Sequence, residues 1–208
     1  MEMWNAIRDT DTEYEKYLPD GVFEAKGGGY VQPYADSPLD RERVGENVYM
    51  NIIKGATEYV YFITPYLIIS DEMKRELGLA AKRGIDVRIV TPGIPDKKLV
   101  YRLTRSYYAG LIRDGVRIYE YTPGFVHAKQ ILTEDAAIVG TINMDYRSYY
   151  LHYENGIWMS GEQIQEDIRK DFCATFEESH EVSYEEWKNR PRRYKFIEPV
   201  LNLFSILL

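Results

Sequence analysis

What most constrains this chain is the alternation of its segments. Short apolar or period-two runs (GYVQPY 29–34, YVYFIT 59–64, DVRIVT 86–91, VRIYEY 116–121 and ENGIWM 154–159) are separated by stretches of helical period. Period two marks a strand with one face turned inward, and period 3.6 marks an amphipathic helix. Between the runs, ERVGENVYMNIIKGA (42–56) places Val44, Val48 and Ile52 on one helical face. DEMKRELGLAAKRG (71–84) has acids in its first turn and Gly84 near its end, as the helix dipole and C-capping prefer. A third helix is expected from about Asp96 to Arg113. Strands and helices taking turns in this way predict an α/β fold, with a mixed β-sheet flanked by helices on both faces.

One stretch interrupts the alternation: FVHAKQILTEDAAIVGTINMD, 125–145. QIL and AAIV, separated by Thr-Glu-Asp, read as a hairpin entering the core. Period two brings the side chains of His127 and Lys129 to one face, and Gly140 and Thr141 end the second strand near where the first began. Asn143 can then return to that face. Imidazole, ammonium, hydroxyl and carboxamide together suit a phosphate group: lysine supplies a point charge, Asn and Thr supply neutral donors, and histidine carries protons or attacks as a nucleophile. From composition alone, a hairpin with a solvated His and Lys at its mouth is an equal reading.

The string His-x-Lys-x4-acid-x5-Gly-Thr-x-Asn resembles the HKD motif of the phospholipase D superfamily. VQPYADSPLD, YVYFITPYLI, RGIDVRIVTPG, DKKLVYRLTRSYYAGL, GVRIYEYTPGFVHAK and GTINMDYRS extend the likeness. Together they resemble the second catalytic half of bacterial cardiolipin synthases over roughly residues 28 to 208. Two departures stand out. The family's motif acid is usually Asp with one more residue before the glycine, whereas this chain has Glu134 followed by Asp135, and the resemblance implies a structural role for that acid. The family also carries two HKD halves in one chain behind membrane-spanning segments, and here there is one. Residues 1–28 are therefore expected to be a remnant of a preceding half and linker, 29–180 the catalytic domain, and 181–208 a basic turn and apolar helix.

The resemblance implies a mechanism. His127 attacks the phosphorus of a phosphatidylglycerol-like lipid, Lys129, Thr141 and Asn143 hold phosphoryl oxygens, and Glu154 accepts a hydrogen bond from the other imidazole nitrogen. No metal or cofactor is implied. The partner expected is a second HKD half in the full-length chain, or a homodimer partner, whose histidine gives the leaving alcohol its proton. His152 and His180 lack the x-Lys pattern; a place near the site is a minor expectation for His152, and Tyr66 is the tyrosine expected nearest to it. Two other readings stay open: a homodimeric single-motif phosphodiesterase or nuclease, and a noncatalytic lipid-headgroup-binding module.

At 208 residues, 45% hydrophobic and 28% charged, the chain can bury its own core. Its net charge of −7 argues against nucleic acid as the main partner, since phosphate backbones attract Lys and Arg. A single cysteine, Cys173, excludes an internal disulfide; beside Ile164, Ile168, Phe172 and Phe176 it is expected in the core. KNRPRRYK (188–195) carries five basic residues ahead of FIEPVLNLFSILL (196–208). That terminus either rests on anionic lipid or docks on the domain. With no run of about 18 apolar residues, the expectation is a stretch soluble or peripheral on the cytoplasmic side, at the cell membrane in its full-length context.

Overall fold

The structure is a computed structural model, which describes residues 13–21, 24, 27–39 and 41–191. Among the described residues there are ten strands: β1 Tyr30–Asp36, β2 Tyr59–Ile63, β3 Leu67–Ile68, β4 Asp86–Pro92, β5 Arg117–Tyr121, β6 Gln130–Thr133, β7 Ala137–Gly140, β8 Met144–Asp145, β9 Glu154–Ser160 and β10 Ser179–Glu181. The α-helices among the described residues are α1 Val44–Gly55, α2 Asp71–Lys82, α3 Lys98–Arg113, α4 Tyr146–Tyr150, α5 Glu162–Glu177 and α6 Tyr184–Lys188, and a short 3-10 helix spans Tyr14–Tyr17.

Eight strands form one mixed sheet in the order β1-β9-β7-β6-β2-β4-β5-β10. β2, β4 and β5 run parallel, with α2 and α3 as crossovers, and β6 turns the direction by pairing antiparallel with β2. β3 and β8 form a small parallel pair outside that sheet. The α/β architecture with helices on both faces is as the alternation requires. Val60, Phe62, Val87 and Ile89 point to the face covered by α1, α2 and α3, where Tyr49, Met50, Ile53, Met73, Leu77 and Leu111 are buried. Ile63, Val90 and Leu132 point to the other face, where Phe172 of α5 is buried. Each such side chain removed from water contributes roughly 1.5–3 kcal/mol, so the alternation is enforced strand by strand.

Several expectations are corrected in detail. The buried stripe of α1 is Tyr49, Met50 and Ile53, while Val48 and Ile52 flank it half-buried. The cause is Tyr49, whose hydroxyl reaches inward to donate to the Ile142 carbonyl at 2.8 Å. α3 starts at Lys98, two residues after Asp96, whose carboxylate accepts from the Lys97 N–H at 2.5 Å. Cys173 is exposed, not in the core. Ile164, Ile168, Phe172 and Phe176 recur every four residues on the inner face, and position 173 lies about 100° around the helix from Phe172. β10 was not expected. It adds to the sheet edge with His180 opposite Glu120, so a boundary at 180 falls inside a strand, and Val182 beyond it is buried. Residues 192–208, with most of the basic turn and the apolar terminal helix expected there, lie outside the described residues.

Candidate active site

The carboxyl ends of β2 and β4 and the starting end of β6 meet at one edge of the sheet, since Ile63 pairs with Gln130. Crevices at such edges are where open α/β sheets bind ligands. The hairpin places the motif there. Thr133 N–H donates to the Ala136 carbonyl at 2.8 Å, closing the turn at Glu134 and Asp135, and Gly140 N–H donates to the Lys129 carbonyl at 3.2 Å. His127 and Lys129 precede β6 rather than lying in it, but the backbone there is extended enough that their side chains still meet.

Lys129 is 8% exposed, and its ammonium donates to the His127 carbonyl at 2.6 Å. The same nitrogen lies 3.1 Å from His127 Nδ1 and 3.2 Å from Nε2. His127 itself is exposed at the mouth of a cleft of about 470 Å³ that Lys129, Gln130, Gly140, Thr141 and Asn143 also line. Loss of hydration on the packed part of the ring, then the Lys129 charge, holds the His127 pKa below the ordinary histidine value; Asp96 opposes them. Burial likewise lowers Lys129, against the pull of Glu154 and Asp145.

The remaining motif residues are divided by their hydrogen bonds. Asn143 donates through Nδ2 to Ser148 Oγ at 3.0 Å, and its Oδ1 is buried without a partner among the described residues. The Thr141 hydroxyl donates to Glu154 Oε2, and the Thr141 N–H donates to the Asn155 carbonyl at 2.9 Å. The Thr141 hydroxyl and N–H are thus both engaged with β9. Glu154 is gathered at the site, but its partners are Thr141 and, at 3.5 Å, Nδ1 of His152, not the His127 ring. His180 sits on the far edge strand, paired with Glu186 at 2.8 Å.

Glu134 points away from the cleft. Its carboxylate accepts from the Thr57 N–H at 2.5 Å, the Thr57 hydroxyl at 2.8 Å and the Tyr59 N–H at 3.3 Å, tying the hairpin turn to the start of β2. Asp135 beside it is exposed and shares a separate cleft with Glu134.

Phe125 and Asp96 also neighbour His127. The Phe125 ring lies 5.8 Å from the His127 ring, centroid to centroid, and 6.4 Å from the Tyr66 ring. Tyr66 donates through its hydroxyl to Asp96 Oδ2 at 2.5 Å. Period two would have found Phe125, which precedes His127 by two; nothing local marks Asp96, which arrives by way of the loop after β4. The tyrosine-rich segments at 105–108 and 147–154 come together elsewhere, where Tyr107, Tyr149 and Tyr150 line a cleft of about 450 Å³.

Among the described residues, no group of three or more His, Cys, Asp or Glu could hold a metal ion, and no helix is long and apolar enough to cross a membrane.

Residues 49–175 match the family described as cardiolipin synthase, PLD-like domain. An uncharacterized protein of Streptococcus mutans is 46% identical over all of this chain and 45% of its own length. A cardiolipin synthase of Alkalihalophilus pseudofirmus is 35% identical over 93% of this chain and 39% of its own. The chain therefore spans less than half the length of these relatives. Among solved structures, phosphatidylserine synthase of Haemophilus influenzae aligns with a TM-score of 0.69 at 14% identity, over 86% of this chain and 47% of that one. The phospholipase D family member Nuc of Salmonella typhimurium aligns at 0.62 and 15% identity, over 74% and 99%. The fold is that of these phospholipase D-like proteins, and the chain belongs to the cardiolipin synthase group of the phospholipase D superfamily.

Proposed function

We propose that this domain carries one catalytic centre of a phosphatidyltransferase that moves a phosphatidyl group from a phosphatidylglycerol-like donor to an acceptor hydroxyl. The observation that carries the reading is the contact of the Lys129 ammonium with both nitrogens of a His127 ring whose pKa is held low, at the mouth of an open cleft. A neutral imidazole beside a fixed cation is a nucleophile next to a binding site for anionic oxygen.

In the first step an imidazole nitrogen of His127 forms a bond to phosphorus, and the bond from phosphorus to the glycerol oxygen breaks. The departing alkoxide takes a proton from an acid. In the second step the acceptor hydroxyl loses its proton to the same group, its oxygen bonds to phosphorus, and the P–N bond breaks. Lys129 stabilises the nonbridging oxygens throughout. Asn143 joins it by a half-turn of its amide: Ser148 then donates to Oδ1, and the Nδ2 hydrogens face the cleft, which also satisfies the orphaned oxygen.

His180 is too far along the sheet to supply the proton, and His152 is turned to Glu154. A second HKD half of a longer chain, or a second copy of this domain, supplies that histidine. In a protein carrying both motifs, phosphatidyl transfer in phosphatidylglycerol vesicles is expected to vanish in His127→Ala. It should fall on the order of 100-fold or more in Lys129→Ala. Undiminished transfer by His127→Ala would contradict the proposal.

A further inference from the structure

A centre built to hold a phosphodiester has at its side a carboxylate whose charge no cation among the described residues offsets. Asp96 is exposed, its charge acts on the His127 ring, and no Lys or Arg among the described residues forms an ion pair with it. Left alone, that charge repels the anion that Lys129 attracts. A ligand offsets the repulsion only if it carries hydrogen-bond donors on that side.

The carboxylate is held in place, as a binding group requires. Oδ1 accepts from the Lys97 N–H and Oδ2 from the Tyr66 hydroxyl, both at 2.5 Å, which leaves each oxygen a lone pair toward solvent. Tyr66 is fixed in turn: its ring packs on Ile68, Val100 and Leu103, and its carbonyl accepts from the Thr64 hydroxyl at 2.8 Å. The Thr64 oxygen also accepts from the Met144 N–H at 3.0 Å, so the Tyr66 turn and the Asn143 segment are joined through one side chain. The β3–β8 pairing of Leu67 with Met144 repeats that link. Phe125 fills the interval between Tyr66 and His127 and presents an aromatic surface.

We propose that Tyr66, Phe125 and Asp96 form the subsite for the alcohol portion of the phosphodiester, with the Asp96 carboxylate accepting hydrogen bonds from the hydroxyls of a glycerol headgroup. The inference rests on the reading of His127 and Lys129 as a phosphodiester site and adds which residues of this chain would recognise the headgroup. Vicinal hydroxyls supply two donors to a carboxylate, and the carbon skeleton of glycerol lies against the Phe125 and Tyr66 rings. An ethanolamine headgroup offers an ammonium to the same wall, and the test separates the two.

The experiment measures binding to this chain of three soluble probes: inorganic phosphate, glycerophosphoglycerol and glycerophosphoethanolamine, each followed by the NMR shifts of the His127 ring. Glycerophosphoglycerol is expected to bind about tenfold more tightly than phosphate, as hydrogen bonds to a charged group allow. Asp96→Ala and Tyr66→Phe should each reduce that preference while leaving phosphate affinity undiminished. Phosphate binding without a preference, or a preference that survives Asp96→Ala, overturns this subsite and leaves the phosphodiester site standing. A preference for glycerophosphoethanolamine overturns the glycerol assignment. Failure of all three probes to perturb His127 contradicts both readings.

Discussion

Gly140 faces Gly156 across the β7–β9 pair, and neither position has room for a side chain. A Cβ on Gly140 would lie 2.5 Å from the Asn155 carbonyl oxygen and 2.8 Å from the Gly156 Cα, both backbone atoms that cannot rotate away. The glycine of the motif thus lets β9 come close enough for Asn155 and Glu154 to bond Thr141. Gly140→Ala is expected to cost about 1–3 kcal/mol in urea unfolding, as overpacking does. Gly55→Ala, at the end of α1 where a Cβ meets nothing within 4 Å, is the control that should leave stability unchanged or slightly raised. Equal stability of the two variants would contradict this role.

We assign Glu134 to stability rather than chemistry, because its carboxylate ties the hairpin turn to the start of β2. Burial pushes its carboxyl up, but the hydrogen bonds from backbone N–H groups and Thr57 outweigh that and hold its pKa below the ordinary 4.5. A folded pKa below the unfolded one means that the stabilisation is complete above the unfolded value and is lost as pH falls through the folded one. Glu134→Gln should therefore cost roughly 1.5–3 kcal/mol at pH 7, the range for hydrogen bonds to a charged group. The gap between variant and wild type should close toward pH 3. Phosphate binding at the cleft should be unchanged, and a lost phosphate site in a folded variant would give this acid a part in the chemistry.

His127 should titrate below the histidine norm of 6.5 and be neutral at pH 7. The two neighbouring charges move it in opposite directions, so their removal gives opposite signs. Lys129→Met removes a cation and should raise the His127 pKa; Asp96→Asn removes an anion and should lower it further. NMR titration of the ring protons reads both. In a two-motif protein the acid limb of the rate profile should shift with the same signs, because a protonated imidazole cannot attack phosphorus. Shifts of like sign in the two variants would contradict the arrangement.

The elements carrying a local signal were legible in the sequence. Period two fixed the inward faces of β2 and β4, and the turn residues placed the hairpin that gathers His127, Lys129, Thr141 and Asn143. What escaped depends on distant partners. α1 presents Tyr49 and Met50 inward because a tyrosine hydroxyl finds the Ile142 carbonyl, 93 residues away. β10 is three residues long and exists only by pairing with β5. Glu154 accepts from the Thr141 hydroxyl rather than from the His127 ring, a choice between neighbouring donors that spacing does not encode. Asp96 reaches the site because loops at the carboxyl ends of parallel strands converge, a property of the assembled sheet.

The formation of a bond between His127 and phosphorus is tested most directly with a p-nitrophenyl ester of a short-chain phosphatidic acid. Its leaving group departs as a stable anion, so the step needs no second histidine and can be followed in this chain alone. Wild-type protein is expected to release a burst of close to one equivalent of nitrophenolate, with peptide mass spectrometry locating the phosphatidyl adduct on His127. His127→Ala should show neither. A burst that persists in His127→Ala, or a wild-type protein that binds the ester and forms no adduct, would contradict the assignment.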